Sequence, residues 1–239
     1  MRIGLILILI LSLLAGGLTT SANQEPESKF YDPIERHIEG WLVRIDPRLT
    51  EQPNKDVGDR ALAMLRWQLE SIKISIPEKR LVELQTIGIW IELDNPQVSN
   101  MQYHPDRKWL IGHGMDPRFE GFVHIPGAAR LADKKFFHQQ PSVIMHELAH
   151  GFHDQILDFN YAPIVAAYKA GVKAGLYDKV LHASSRQRRH YSATNHKEYF
   201  AEGCEAYFGR NDFFPFVRVE LRKHDPTLYR LMEEIWGKE

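Results

Sequence analysis

Cysteine is almost missing from this chain. Cys204 is the only one in 239 residues, so no disulfide can form within one molecule and a hydrophobic core has to do the stabilising. Set among aromatic residues, Cys204 reads as a small buried hydrophobe rather than a nucleophile or a ligand. An excess of either charge is missing too. With 30 basic and 31 acidic residues the formal net charge is −1. The densest basic cluster, Arg186, Arg188 and Arg189, reads as a solvated loop, which leaves nucleic-acid binding without electrostatic support. Internal repeats and low-complexity stretches are absent, so one folded unit is expected rather than an array.

Long apolar runs are lacking outside the N-terminus. There, Arg2 precedes an apolar run from Ile3 to Leu18, followed by Thr19-Thr20-Ser21-Ala22. The run is short against the ~20 residues of a membrane span. It reads as a signal peptide over residues 1–22 with a small-residue cleavage site ending at Ala22. The protein is accordingly expected to be secreted or extracytoplasmic, with no membrane span after cleavage; an uncleaved N-terminal anchor is the alternative. No cysteine stands near the end of the run, which excludes the usual lipoprotein attachment.

The rest divides by pattern. Residues 23–33 are polar, carry Pro26 and Pro33, and read as a flexible leader. Residues 34–239 form a single domain, with an N-terminal lobe to about 140 and a helical lobe over 141–239. In the first lobe, Trp41–Ile45 reads as a strand and residues 56–74 as a helix with Ala61, Leu62, Leu65, Leu69 and Ile72 on one face. A helix begins over 81–84, and residues 86–93 alternate as a partly buried strand. Shorter strands are expected over 100–104 and 121–125, and a loop over 105–120 around Gly112-His113-Gly114. The fold class is therefore α+β, with a small sheet of three to five strands ahead of helices over 141–157, 164–177, 195–208 and 216–236, the last restarting at Asp225-Pro226.

The chemistry concentrates in His146-Glu147-Leu148-Ala149-His150, an HExxH sequence. At about 100° per residue, His150 lies roughly one turn above His146, so both imidazoles can reach one tetrahedral ion. Glu147 then points beside the ion, where it can accept a proton from water. Two histidines leave zinc one short of the three protein ligands of a catalytic site. The longer HExxHxxGxxH pattern is absent, since Gly151 directly follows His150 and Ile156 stands at the final position. His153 lies about two turns from His146, too far to share one ion. Downstream, Glu198, Glu202 and Glu205 recur at helical spacing. Either Glu198 or Glu202 can complete the set: Glu198 also fits as a capping-box acid three residues after Asn195, which would leave Glu202 as the ligand. The other acid is free to orient an imidazole.

At these residues, over about 141–208, the chain resembles the gluzincin metallopeptidases, and among them the anthrax-lethal-factor-like catalytic domains and their secreted bacterial relatives. The Glu-Tyr-Phe-Ala-Glu-Gly run at 198–203 and the stretch Asn211–Arg218 carry the likeness further. The resemblance implies a zincin-like fold, with a mixed sheet packed on the active-site helix, and one Zn²⁺ per chain held by His146, His150 and Glu198. It also implies Glu147 as general base, Tyr191, seven residues before Glu198, as a donor to the tetrahedral intermediate, and Glu202 supporting a ligand imidazole. The expected activity is hydrolysis of a peptide or protein substrate held along a strand edge, either 100–104 or 121–125. An endopeptidase is favoured because the GxMEN-type exopeptidase motif is missing from Gly88–Asn95. The rival readings are an inactive secreted binding module, a zinc hydrolase of non-peptide bonds, and a structural zinc site, which would want four protein ligands. His104, His153 and His190 read as structural histidines.

Overall fold

The structure is a computed structural model and describes residues 30–237. The expected signal segment and most of the expected leader lie outside the described residues. The leader's last part is not free: the Tyr31 hydroxyl accepts from Trp90 Nε1 at 2.8 Å and donates to Glu92 at 2.9 Å, while Arg118 holds the Tyr31 carbonyl at 2.6 Å and the Asp32 carboxylate at 3.1 Å.

β1 (Ile34–Ile38) and β2 (Trp41–Ile45) form an antiparallel hairpin turned by Glu39 and Gly40, both at positive φ. β1 escapes the sequence pattern because it is an edge strand, with Glu35, Arg36 and His37 in solvent and no apolar alternation. α1 (Lys55–Ser75) and α2 (Glu78–Leu84) then cross over to β3 (Gly88–Ile91), which runs parallel to β2. β3, expected to alternate as a partly buried strand, is instead buried along its whole length, because it lies centrally between two parallel neighbours. β4 (Gln102–Tyr103) lies at the far edge, antiparallel to β5 (Phe122–Ile125), and β5 pairs parallel with β3. The result is a five-stranded mixed sheet in the order β1-β2-β3-β5-β4.

Residues 105–120 are not simply loop. Asp106 caps α3 (Arg107–Gly112) by accepting from the amides of Lys108 and Trp109. Leu110, Met115 and Phe119 from this segment bury Trp90 on one face of the sheet. On the other face, Val43, Ile89, Ile91 and Val123 meet Leu65, Leu69, Ile72, Leu148 and Phe152 in the main core. Burial of each such side chain contributes roughly 1.5–3 kcal/mol.

α4 (Ala128–Leu131) and α5 (Lys134–Gln139) lead into α6 (Val143–Phe152), every residue of which is buried except His150. α6 crosses so close to the sheet that a Cβ on Gly151 would sit 2.8 Å from Ile87 Cγ2 and 3.2 Å from Tyr103 Cε2. The helix expected to run to 157 changes at His153, and residues His153–Leu157 form a π-helical turn. Side chains of that turn tie it to the sheet: Asp154 accepts from the Tyr103 hydroxyl at 2.7 Å, and Gln155 donates to the Gly121 carbonyl at 3.0 Å.

α7 (Ala162–Lys173) ends before Gly175, which has positive φ, a few residues earlier than expected. The arginine cluster lies in and beside a small antiparallel ribbon of β6 (Val180–Leu181) and β7 (Gln187–Arg188), not in a plain loop. α8 (His196–Phe208), α9 (Arg218–His224) and α10 (Pro226–Trp236) complete a largely helical second half. Asp225 caps α10 and also accepts from the buried hydroxyls of Tyr177 and Tyr199, at 2.9 and 2.8 Å. Gly203 lets α8 approach α10, since a Cβ there would lie 2.9 Å from Leu228 Cδ2. Cys204 is fully buried against Met232.

His104 is buried on β5's flank, its Nε2 3.1 Å from Nδ1 of His124, which in turn meets Glu92 at 2.8 Å. Burial, with His124 beside it, brings the His104 imidazole down to about 3. The unfolded side chain titrates near 6.5, so below that pH the folded state binds fewer protons. The stability carried by this group is complete above about pH 6.5 and falls as pH drops toward 3, by up to about 1.4 kcal/mol per unit. Urea-unfolding midpoints should therefore decline on acidification, and His104→Gln should flatten the decline by one proton's worth; an unchanged slope refutes the assignment.

Candidate metal centre

α6 and α8 are neighbours, and both are buried along the faces that meet. α6 presents His146 and His150 from successive turns toward α8, which begins where Asn195 accepts from the amides of Lys197 and Glu198, at 2.9 and 3.0 Å. Glu198 thus occupies the third helical position but does not close a capping box. Its Oε2 lies 3.2 Å from Nε2 of His146 and 3.2 Å from Nε2 of His150, and the two Nε2 atoms are 3.1 Å apart.

That nearly equilateral triangle is what a tetrahedral ion requires. Ligand atoms about 2.0–2.1 Å from zinc stand about 3.3 Å from each other. Three lone-pair donors crowded this closely repel unless a cation sits among them. The proton affinities express the same need. Burial opposes charge on His146, but hydrogen bonds to Glu198 and Glu205 raise its pKa well above the usual imidazole value. Burial likewise acts against ionisation of Glu198, and the two histidines overcome it and hold that carboxyl well below its usual range. Burial lowers His150 in spite of Glu198. His146, His150 and Glu198 together are a group that could hold a metal ion.

The carboxylate that orients His146 is Glu205, whose Oε1 lies 2.7 Å from Nδ1. Glu202, expected in that place, has its Oε1 3.8 Å from the same nitrogen and instead accepts from Asn211 Nδ2 at 2.8 Å. Glu205 is nine positions after His196 on α8 and one turn beyond Glu202, and only the helix crossing decides which of the two reaches the ring. Burial pushes Glu202 well up, aided by Glu205, and burial pushes Glu205 up against the pull of His146. His146, Glu202 and Glu205 form a second set of convergent ligand atoms, on the Nδ1 side of the same ring.

Glu147 is buried beside the triangle and accepts from the Tyr103 amide of β4 at 2.9 Å. Burial, only partly countered by His146, raises it to about 7. Tyr191 is about half exposed, its ring centroid 6.5 Å from that of His146. These five residues, His146, Glu147, His150, Tyr191 and Glu198, open on a cleft of about 760 Å³ whose walls include Gln102, Phe136, Phe159, Lys197 and Phe213. His104, His153 and His190 lie buried away from its lining. His153, inside the π-turn, packs on Phe159 and Phe200, and neither of its ring nitrogens has a hydrogen-bond partner among the described residues. Tyr103, Asn211 and Lys197 were not singled out from sequence; each acts through position, and no local motif marks them.

Comparison with family models, with curated protein sequences and with solved structures found no match for this chain.

Removing the group that orients a ligand imidazole typically costs 10–100-fold in metal affinity. Glu205→Ala should weaken zinc binding by about that factor in competition with a fluorescent chelator, Glu202→Ala should cost less, and Glu198→Ala should cost most. Equal losses in Glu202→Ala and Glu205→Ala would remove the assignment of Glu205 as the orienting group.

Proposed function

We propose that the chain is a zinc-dependent peptidase of zincin-like fold, acting outside the cytoplasm on an extended peptide. The observation that carries this reading is the triangle of His146 Nε2, His150 Nε2 and Glu198 Oε2 with a buried carboxylate, Glu147, beside it and an open cleft in front. A His-His-Glu donor set of this size suits zinc and leaves a coordination position open, as catalytic zinc sites do. Zinc bound there supplies Lewis acidity toward water and the scissile carbonyl.

The chain's own groups do the rest. Glu147 takes the proton of the attacking water and delivers it to the leaving amine. The Tyr103 amide fixes one Glu147 oxygen, leaving the other for that proton. Tyr191, at the mouth of the cleft, donates its hydroxyl to the oxyanion, a contact worth roughly 3 kcal/mol in other enzymes. Glu205 keeps the His146 ring turned so that Nε2 faces Glu198. β5 is paired on both sides, whereas β4 has β5 as its one strand neighbour among the described residues, so β4 is the edge along which an extended peptide can add. The residues of β4 and its approach, Asn100 to Tyr103, line the cleft.

Glu147→Gln should retain one zinc per chain and lose cleavage of a peptide library by at least about 10³-fold. Normal turnover in that variant would end the peptidase reading. Tyr191→Phe should lower kcat about 10²-fold with zinc content unchanged; a change in KM alone would assign Tyr191 to substrate binding instead.

A further inference from the structure

The carboxylates lining the cleft are all engaged. Glu147 is held by the Tyr103 amide, Glu198 by two imidazoles, Glu205 by His146, Glu202 by Asn211, and Asp212 lies 3.4 Å from His182 Nε2. The cations of the same cleft are not matched to them. Arg130 is spent on the chain ahead of β4, donating to the Ser99 carbonyl and to Asn100 Oδ1 at 2.9 and 2.8 Å. Lys197 makes no ion pair with any described residue. Its Nζ is seated over the Phe159 ring at 3.6 Å from the centroid, and the residue is half-buried.

An ammonium in this setting is a point charge with no carboxylate partner among the described residues. A cation–π contact stabilises it by about 0.5–2 kcal/mol and satisfies none of its three donors. The position is also restrictive. Lys197 directly precedes Glu198 on the first turn of α8, where Asn195 caps its amide, and its ammonium rests on Phe159 in the lining of the same cleft. A cationic substrate group is repelled there and a neutral acceptor gains an ordinary hydrogen bond, whereas a carboxylate gains the stronger charge-assisted one.

We propose that Lys197 is a specificity residue that binds a carboxylate of the substrate, so that this cleft selects peptides carrying an acidic side chain or a free C-terminus at one fixed distance from the cleaved bond. The proposal rests on the peptidase reading above. Phe159 gives the ammonium an apolar ring to rest on, and Arg130, the other cation that lines the cleft, already donates to Ser99 and Asn100.

The test compares peptides that differ by Glu against Gln at each position, with the C-terminus free or amidated, on the zinc-loaded full chain. One position should show a preference in kcat/KM of about tenfold or more for Glu, or for the free C-terminus, and the amidated series tells the two sources apart. In Lys197→Met that preference should fall to near unity, and in Lys197→Arg it should largely return, with zinc content measured in each variant. A merely structural lysine would lower both members of a pair alike and leave their ratio unchanged, which would overturn the proposal. Calorimetric binding of the same pairs to Glu147→Gln supplies a readout without turnover. If the wild type cleaves nothing, the peptidase reading fails, and the binding arm still decides for Lys197: tighter binding of the Glu peptide that vanishes on Lys197→Met supports it, and equal binding refutes it.

Discussion

Three electron-pair donors stand within 3.2 Å of one another inside this protein, and the structure around them is arranged to bear that crowding. The cost of bringing two imidazoles and a carboxylate together out of water is large unless a cation joins them. α6 and α8 impose the arrangement because both are buried along their contact and neither can rotate without exposing apolar surface. Glycines at the two outer contacts, Gly151 toward the sheet and Gly203 toward α10, set how near each helix comes. The triangle is thus a consequence of core packing, and a cation bound there would offset the repulsion that packing imposes.

Around that centre the polar groups are allotted with little slack. Glu205 is spent on His146, Glu202 on Asn211, and one Glu147 oxygen on an amide of the edge strand. The last of these links the sheet to the chemistry, because the strand with the free edge also positions the proposed base. The π-helical turn after α6 serves the same junction, with Asp154 and Gln155 both meeting the Tyr103 hydroxyl. Sheet edge, helix and turn are therefore joined in one frame, and the cleft is lined as well by Lys197, resting on Phe159 with no ion-pair partner among the described residues.

Much of the architecture was legible in the linear pattern. The apolar spacing of α1 and the Asp225-Pro226 restart before α10 follow from local rules, as does the existence of β3, whereas its burial on both faces comes from its central place in the sheet. β1 and the ribbon of β6 and β7 were not legible, because polar edge strands carry no alternation, and α3 was hidden behind a glycine-rich turn although Asp106 was there to cap it. The end of α6 was overrun because a π-turn has the composition of the helix it interrupts.

By itself the sequence determined that two imidazoles and a carboxylate share one helix face, since the 3.6-residue period places positions 146, 147 and 150 together in any α-helix. It also limited the third candidate ligand to the acids one turn apart on α8. Which acid meets the pair and which merely supports it was decided by tertiary structure alone. Glu198, Glu202 and Glu205 differ by less than two helical turns, and the angle and separation at which α8 crosses α6 assign Glu198 to Nε2, Glu205 to Nδ1 and Glu202 to Asn211.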